Sequence, residues 1–266
     1  MKNLINYSLI ALMAGLFACS KVPITGRTQL NLVSSTEMAK MSAESYKAVL
    51  DSSALSTNAQ QVALVRKVGN KISKAVESYM RDHGMEDQVS AFQWEFNLIE
   101  SEQVNAWAMP GGKVAFYTGI LPICKDEEGV AVVMSHEVAH VIARHGNERM
   151  SQALITQLGA ATLSESMKEK PETTQAIWMG VFGAGAQLGV MLPFSRKHES
   201  EADEMGLHFM AIAGYDPNES VGFWERMQAA AGGGAPPEVL STHPSSATRI
   251  ENLKRLAPGI KAQYAQ

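Results

Sequence analysis

The sequence predicts an α+β fold that is mainly helical, with one small antiparallel sheet. Segments with the apolar spacing of helices occupy most of the chain, whereas residues 92–117 alternate apolar and polar side chains, and no internal repeat interrupts this order. The chain has 266 residues, of which 45% are hydrophobic. A single domain of this size can bury a core without disulfide bonds.

The predicted elements follow from this spacing. A capping box at residues 34–37 begins a first helix that runs to about residue 50, and apolar residues then alternate around a Pro-Gly-Gly turn at residues 110–112, as in antiparallel strands. Residues 177–192 are apolar with four glycines, which favours a helix packed in the core over a transmembrane span. The remaining helices are predicted at residues 58–81, 126–145, 147–168, 172–192, 198–213 and 217–231, and a mobile glycine-rich loop at residues 232–237.

Charge and cysteine content exclude several classes of protein. A net charge of -4 with 19% charged residues fits neither a strongly basic nucleic-acid-binding protein nor a highly charged disordered chain. Two cysteines are too few for a disulfide scaffold or a cysteine zinc site. We expect Cys124 to be a small buried apolar residue.

Residues 1–18 have the pattern of a signal peptide, because Lys2 precedes an apolar run that is too short to cross a bilayer. The run ends in Leu-Phe-Ala-Cys, which is similar to the bacterial lipobox and predicts lipidation of Cys19. An ordinary cleaved signal peptide with a coincidental cysteine is the alternative. Ser20 is the residue type that this resemblance associates with sorting to the outer membrane.

This N-terminus predicts three parts: a signal peptide at residues 1–18, a lipidated tether at residues 19–33 and a folded domain at residues 34–266. The predicted location is the bacterial periplasm, with the lipid anchor in the inner leaflet of the outer membrane.

The pattern His-Glu-x-x-His at residues 136–140 predicts a zinc site. His136 and His140 lie one helical turn apart, so both can bind the same ion, and Glu137 then lies beside the open coordination position. The alternative is a pair of core histidines on a packed helix. That alternative would leave the charge of Glu137 in apolar surroundings, which is energetically costly.

A catalytic zinc ion needs a third protein ligand, and residues 199–203 offer one. Glu199 and Asp203 are one helical turn apart, so Glu199 can bind zinc while Asp203 orients a ligand histidine. Glu201 is the rival ligand, but it lies about 200° around the helix. Met205 would then occupy the orienting position, which favours Glu199. We expect His198 to be exposed.

With these motifs, the sequence resembles the zinc endopeptidases that include HtpX and the CAAX prenyl proteases, in particular their periplasmic lipoprotein members of the BepA and LoiP type. Similar motifs occur in the same order: residues 23–30, 105–121, 136–140, 195–203 and 242–249. The resemblance implies a zincin-type, gluzincin-like metallopeptidase domain with one Zn²⁺ per chain. The resemblance to BepA-like members does not extend to their helical-repeat domain, so we expect no partner binding of the kind attributed to such a domain.

The predicted mechanism assigns Glu137 as general base and acid, since it can take a proton from the attacking water and pass it to the leaving amine. His243 and Arg249 are candidate donors to the oxyanion, because they follow the glycine-rich loop and could fold over the site. His243 has two alternatives. It could form a helix-entry turn, or it could occupy the open metal position and hold the enzyme inactive.

The predicted substrates are unfolded or misassembled envelope proteins. The strand at Asn105, Ala106 and Trp107 can pair with an extended substrate backbone, which recognises main chain more than side chains. Two rivals remain: a chaperone-like outer-membrane assembly factor with little proteolysis, and a zinc hydrolase that acts on other bonds. An intact Glu137 favours catalysis, because a structural zinc site needs no base.

Overall fold

The computed structural model describes residues 19–186, 192–231, 243 and 247–265. The predicted signal peptide and the predicted glycine-rich loop lie outside these residues. In chain order the elements are β1 (Cys19–Lys21), β2 (Thr28–Leu30), α1 (Ser35–Ser52), α2 (Ala59–Asp82), α3 (Glu86–Val89), β3 (Glu95–Ile99), β4 (Ala106–Met109), β5 (Lys113–Tyr117), α4 (Leu121–Cys124), α5 (Glu127–Ile142), α6 (His145–Met167), α7 (Glu172–Ala186), α8 (Leu192–Ile212), α9 (Glu219–Ala231) and α10 (Ala247–Tyr264).

The chain divides into two compact units. The first unit comprises residues 1–34 and 144–195, and the second comprises residues 35–143 and 196–266. The described structure is mainly helical with small sheets, which confirms the predicted fold class. None of the described helices is both long enough and apolar enough to span a membrane.

In the first unit, strands β1 and β2 form an antiparallel hairpin, and helices α6 and α7 pack against each other. The Arg27 guanidinium donates to both carboxylate oxygens of Glu148 on α6, at 2.9 and 2.8 Å. The backbone N–H of Leu32 donates to Ser151 Oγ at 2.8 Å. The segment predicted as a tether is therefore folded against α6.

In the second unit, three strands form a mixed sheet in the order β3-β5-β4. The β4–β5 pair is antiparallel, with a turn in which Gly111 and Gly112 have φ of +86° and +88°. Strand β3 runs parallel to β5, with Glu95 opposite Lys113. The prediction of a purely antiparallel sheet is therefore wrong, because alternation of side chains is the same in both directions.

The core of the second unit lies between α2, α5 and the sheet. Val68 and Ile72 of α2 and Phe116 of β5 are fully buried there. Helix α5 is buried on all sides from Gly129 to Ile142, as expected for a helix that is apolar around its whole circumference. This burial holds the His-Glu-x-x-His segment in a fixed position.

The structure differs from the predictions at three further places. Helix α8 begins at Leu192 rather than at residue 198, and helix α10 was not predicted. The prediction that residues 177–192 pack in the core fails where side chains are described, because Ile177, Trp178 and Val181 are 66%, 51% and 59% exposed.

Candidate metal centre and active site

Helix α5 positions the first group of functional side chains. It begins after Asp126, whose carboxylate accepts a hydrogen bond from the backbone N–H of Gly129 at 3.1 Å and so caps the helix. His136, Glu137 and His140 follow in its second half and are 4%, 3% and 8% exposed. Such buried polar side chains need partners, because water does not solvate them.

Helix α8 brings a carboxylate to these histidines. A Cβ atom at Gly206 of α8 would lie 3.3 Å from the backbone nitrogen of His136, so a glycine permits α8 to approach α5 this closely. One and two turns earlier in α8, Asp203 and Glu199 reach the two histidines. Glu199 Oε2 lies 3.3 Å from His136 Nε2, and Glu199 Oε1 lies 3.4 Å from His140 Nε2.

Four side chains could hold one metal ion: His136, His140, Glu199 and His243. The Nε2 atoms of His136 and His140 are 3.2 Å apart, and His243 Nδ1 lies 3.3 Å from His136 Nε2 and 2.9 Å from Glu199 Oε2. Ligands about 2.0–2.1 Å from a tetrahedral zinc ion lie about 3.3 Å from one another. The separations in this group therefore fit a zinc ion.

The electrostatics of this group also favour a cation. Burial of Glu199 opposes its ionisation, but the charge of His140 and hydrogen bonds with His136 and His243 hold its pKa well below the ordinary value. Burial and the charge of Arg249 oppose protonation of His136, yet hydrogen bonds to Asp203 and Glu199 outweigh them and raise its pKa to about 9. Such a site attracts a proton, and a divalent cation replaces that proton more effectively.

Asp203 lies behind His136 and is itself held by Arg249. His136 Nδ1 is 3.1 Å from Asp203 Oδ1, so with Nε2 facing the metal position the Nδ1–H donates to this carboxylate. Arg249 donates to Asp203 through Nε at 2.7 Å and Nη2 at 2.6 Å. Although burial opposes ionisation, the charge of Arg249 and the contact with His136 lower the pKa of Asp203.

Trp224 of α9 completes this arrangement, and sequence reasoning missed it. The Arg249 guanidinium carbon lies 3.4 Å from the centre of the Trp224 ring, a cation–π contact. The same ring lies 6.0 Å from the His136 ring. No local motif marks Trp224, whereas Gly206 could have been found as a glycine inside a predicted helix, where it costs stability unless another element approaches closely.

His243 occupies the side of the group that faces Glu137. Its Nδ1 contacts Glu199, and its Nε2 lies 3.6 Å from Glu137 Oε1. His243 is 8% exposed. This placement matches the alternative in which His243 takes the open metal position.

Strand β4 lies at one edge of the sheet and packs against α5. Asn105 precedes it and accepts a hydrogen bond from the backbone N–H of Ala106 at 2.9 Å. The Trp107 Nε1–H donates to the Tyr117 hydroxyl at 3.2 Å, whereas the Ala106 side chain is buried. Within the described residues, the outer side of β4 has no strand partner.

Three further residues have predicted positions that the structure tests: Glu201, His198 and Cys124. Glu201 is buried but outside the metal-binding group, as the choice of Glu199 requires. His198 is 2% exposed, so the prediction that it is exposed is wrong. Cys124 is fully buried, and burial raises the pKa of its thiol to about 12, so it is an apolar core residue as predicted.

Two histidines one turn apart on a buried helix, a glutamate beside them and a further glutamate from a later helix define the class of HExxH zinc metallopeptidases. Within this class the chain belongs to peptidase family M48, whose model matches residues 66–257.

The chain is similar to proteins from several organisms. It is 35% identical over 242 residues to mitochondrial metalloendopeptidase OMA1 of Schizosaccharomyces pombe, covering 89% of this chain and 66% of that protein. Identity to the Saccharomyces cerevisiae OMA1 is 33% over 260 residues, covering 92% and 71%. Identity to the β-barrel assembly-enhancing protease of Escherichia coli is 29% over 178 residues, covering 65% and 36%.

Proposed function

We propose that this chain is an endopeptidase that hydrolyses unfolded or misassembled proteins of the bacterial cell envelope. The observation that carries the proposal is the group formed by His136, His140 and Glu199 with Glu137 beside it, next to the open edge of strand β4. A zinc ion bound there would polarise the peptide carbonyl and lower the pKa of water at its open position.

Glu137 is the general base and acid of the proposed reaction. It takes a proton from the water that attacks the peptide carbonyl and passes this proton to the leaving amine. His136, His140 and Glu199 are the proposed zinc ligands. Asp203 orients His136 through the contact at Nδ1.

For Arg249 we propose a role other than the oxyanion donor that its sequence position favours. Asp203 accepts hydrogen bonds from both the Nε and the Nη2 atoms of Arg249, and the Nη1 atom lies 3.4 Å from Glu199 Oε2, so all three guanidinium nitrogens face carboxylates of α8. We assign Arg249 as a positioning residue for Asp203 and His136 instead of an oxyanion donor.

His243 regulates access in this proposal. With His243 in the group, all four positions around the ion belong to the protein, whereas a catalytic zinc ion needs one position for water. His243 therefore has to leave before a substrate is cleaved.

Strand β4 supplies the proposed substrate-binding edge at Asn105, Ala106 and Trp107. An extended peptide that pairs with this edge lies beside α5 and offers its backbone to the site. Folded proteins rarely present such a segment, so unfolded chains are the preferred substrates. The name of the E. coli relative, a β-barrel assembly-enhancing protease, is compatible with a substrate class in the envelope.

The proposed location is the periplasm, with Cys19 lipidated and the protein anchored to the outer membrane. The apolar run before Cys19 supports this location. Incorporation of labelled palmitate into the wild type but not into Cys19→Ser tests it. A wild type that takes up no label and fractionates as a free protein would refute the anchor.

A second candidate function is a chaperone-like assembly factor with little proteolysis. The fourth protein ligand, His243, favours it, since structural zinc sites have four protein ligands. Glu137 at 3.6 Å from His243 Nε2 favours the peptidase, because a structural site needs no such carboxylate.

Casein degradation by the purified full chain separates the two candidates. We expect casein, which is unfolded, to be cleaved at internal bonds, and a folded globular protein to resist. A chelator should stop cleavage and added zinc should restore it. If casein stays intact in the presence of zinc while aggregation of an unfolded outer-membrane protein is suppressed, the assembly-factor function is correct.

A further inference from the structure

The pair of helices in the first unit exposes large apolar side chains to solvent. Six of them are between 41% and 69% exposed, and we call them the apolar hairpin face: Leu154, Ile155 and Leu158 of α6, and Ile177, Trp178 and Val181 of α7. Soluble proteins rarely leave a contiguous group of this kind uncovered, so the face is expected to meet a partner.

The two helices present these residues in the same pattern. Each contributes residues at positions i, i+1 and i+4, which share one side of a helix. A Cβ atom at Gly159 would lie 3.0 Å from Phe182 Cζ, so the helices are in close contact at this point. Leu158 and Val181 are the immediate neighbours of Gly159 and Phe182, which places both halves of the face at one contact.

Charge is excluded from the same stretch. Residues 150–164 and 173–182 contain no Asp, Glu, Lys or Arg. Apart from Glu148 and Arg149 at the start of α6 and Glu172 at the start of α7, the charged residues of the described hairpin lie at its turn, where Lys168 pairs with Glu165. A face without charges is suited to an apolar partner and offers little to a charged protein surface.

The course of the N-terminal segment identifies that partner. The apolar run at residues 9–18 leads into strand β1 at Cys19, and β1 and β2 belong to the same unit as α6. The Arg27–Glu148 pair and the Leu32–Ser151 hydrogen bond then connect this strand pair to α6. A membrane attachment that precedes or includes Cys19 would therefore hold the unit that contains α6 and α7 close to the bilayer surface.

We propose that the apolar hairpin face is a second membrane-contact surface, which inserts into the boundary between lipid headgroups and acyl chains. Trp178 suits this boundary, because tryptophan is enriched where one end of a side chain meets lipid and the other meets water. The choice of a bilayer rests on the membrane attachment in the proposed function. The peptidase reaction plays no part in it.

Two contacts of this kind have a physical advantage. A single weak membrane signal gives marginal and reversible binding, whereas two signals on one rigid unit reinforce each other. The face also fixes the orientation of the first unit on the membrane, which a flexible lipid anchor does not.

Quenching of tryptophan fluorescence by lipids tests this proposal. The purified full chain is bound to vesicles of phosphatidylethanolamine and phosphatidylglycerol that contain phospholipid brominated in the acyl chains. We expect quenching in the wild type and its loss in Trp178→Phe. The matched control Trp107→Phe should keep the quenching, because Trp107 lies in the sheet of the second unit and donates to Tyr117.

Further variants separate the face from the anchor. In the Cys19→Ser chain, Leu158→Glu combined with Val181→Glu should weaken vesicle binding at least about tenfold, because a charge in the bilayer boundary is costly. If the anchor assignment is wrong and the face is right, Cys19→Ser still shows quenching of Trp178. Glu137→Gln should be quenched as the wild type is, whatever its peptidase activity.

Two results would overturn the proposal. One is vesicle-bound protein in which the wild type and Trp178→Phe are quenched equally. The other is a concentration-dependent dimer in solution that Leu158→Glu disrupts, without quenching of Trp178, since the face would then join two copies of this chain. A chain that does not bind vesicles at all refutes both the face and the anchor.

Discussion

The metal-binding group and the apolar hairpin face differ in which side chains they bury: the first buries charged side chains, and the second exposes apolar ones. The first has Glu199 among its members and Asp203 and Arg249 beside it, and ion pairs join these buried charges. The second leaves Leu158 and Ile177 exposed in a stretch without charge. Each departs from the ordinary rule of apolar inside and polar outside, and such departures mark function. Buried charge indicates chemistry, and exposed apolar surface indicates docking.

Of the substitutions considered, removal of a ligand histidine should have the largest effect, because it should abolish zinc binding at the buried site. His140→Ala leaves only two of the three proposed permanent ligands, His136 and Glu199, because His243 has to leave the group for catalysis, so we expect both zinc and peptidase activity to be lost. Zinc content after gel filtration measures this loss. His83→Ala is the matched control, because His83 is exposed on α2's C-terminal side and contacts only local groups, and it should retain zinc.

Substitutions of three acidic residues of α8 should lower zinc affinity by amounts that differ in a fixed order. Glu199→Gln should lower zinc affinity most, since Glu199 is a proposed ligand. Asp203→Asn should lower affinity or activity by about 10- to 100-fold, the usual cost of losing a group that orients a ligand. Glu201→Gln should change affinity least. A zinc titration in which Glu201→Gln loses more zinc than Glu199→Gln would reverse the ligand assignment.

His243→Ala should raise casein turnover several-fold, because the position that His243 fills becomes available to water and substrate. Zinc affinity should fall only moderately, since His136, His140 and Glu199 remain. A variant that keeps its zinc but cleaves more slowly than the wild type would show that His243 assists the reaction.

Trp224→Leu tests whether the contact between Trp224 and Arg249, which lies outside the group of ligands, contributes to zinc affinity. The cation–π contact with Arg249 is worth about 0.5–2 kcal/mol, so its loss should weaken zinc binding by a few-fold to about 30-fold. Phe223→Leu is the control, because Phe223 is equally buried in the same helix. Both variants should lose stability, but only Trp224→Leu should lose zinc affinity, and Trp224→Phe should restore part of it.

The smallest effect is expected on the hairpin face. Ile177→Ser should change the free energy of unfolding by no more than about 0.5 kcal/mol in the absence of membrane, because the side chain is already exposed. Ile72→Ala in the buried core should cost about 2–5 kcal/mol. Urea unfolding of the two variants makes the comparison. A large loss in Ile177→Ser would mean that the face is covered within the protein.

The parts of the site that sequence could predict are local. His136, Glu137 and His140 share one helical turn, and Glu199 and Asp203 share another, so their spacing alone places each set on one helix face. Helix α2 was predicted closely, at residues 58–81 against Ala59–Asp82 in the structure, where Asn58 Oδ1 caps it by accepting a hydrogen bond from the Gln61 N–H.

The parts that could not be predicted depend on distant contacts. His243 meets His136 across 107 residues, and no spacing rule connects them. The stacking of Arg249 on Trp224 likewise requires α9 and α10 to pack together. Pro258 lies inside α10, whereas proline usually ends a helix, which explains why this helix was missed.

For the apolar segment at residues 177–192 the sequence predicted burial in the core, whereas Ile177, Trp178 and Val181 are exposed. Its composition is that of a core helix, and composition does not tell whether the partner of an apolar face belongs to the same chain. The exposure of Trp178 reveals the difference only after the helix has been placed.

The central claim is that Glu137 acts as a general base beside a zinc ion, and one variant tests it directly. Casein cleavage and zinc content are measured on the same preparations of the wild type and Glu137→Gln. We expect one zinc ion per chain in both, and a loss of cleavage by about 10²- to 10⁴-fold in the variant, because an amide cannot accept the proton of water. Near-normal cleavage by a zinc-loaded Glu137→Gln chain would contradict the claim.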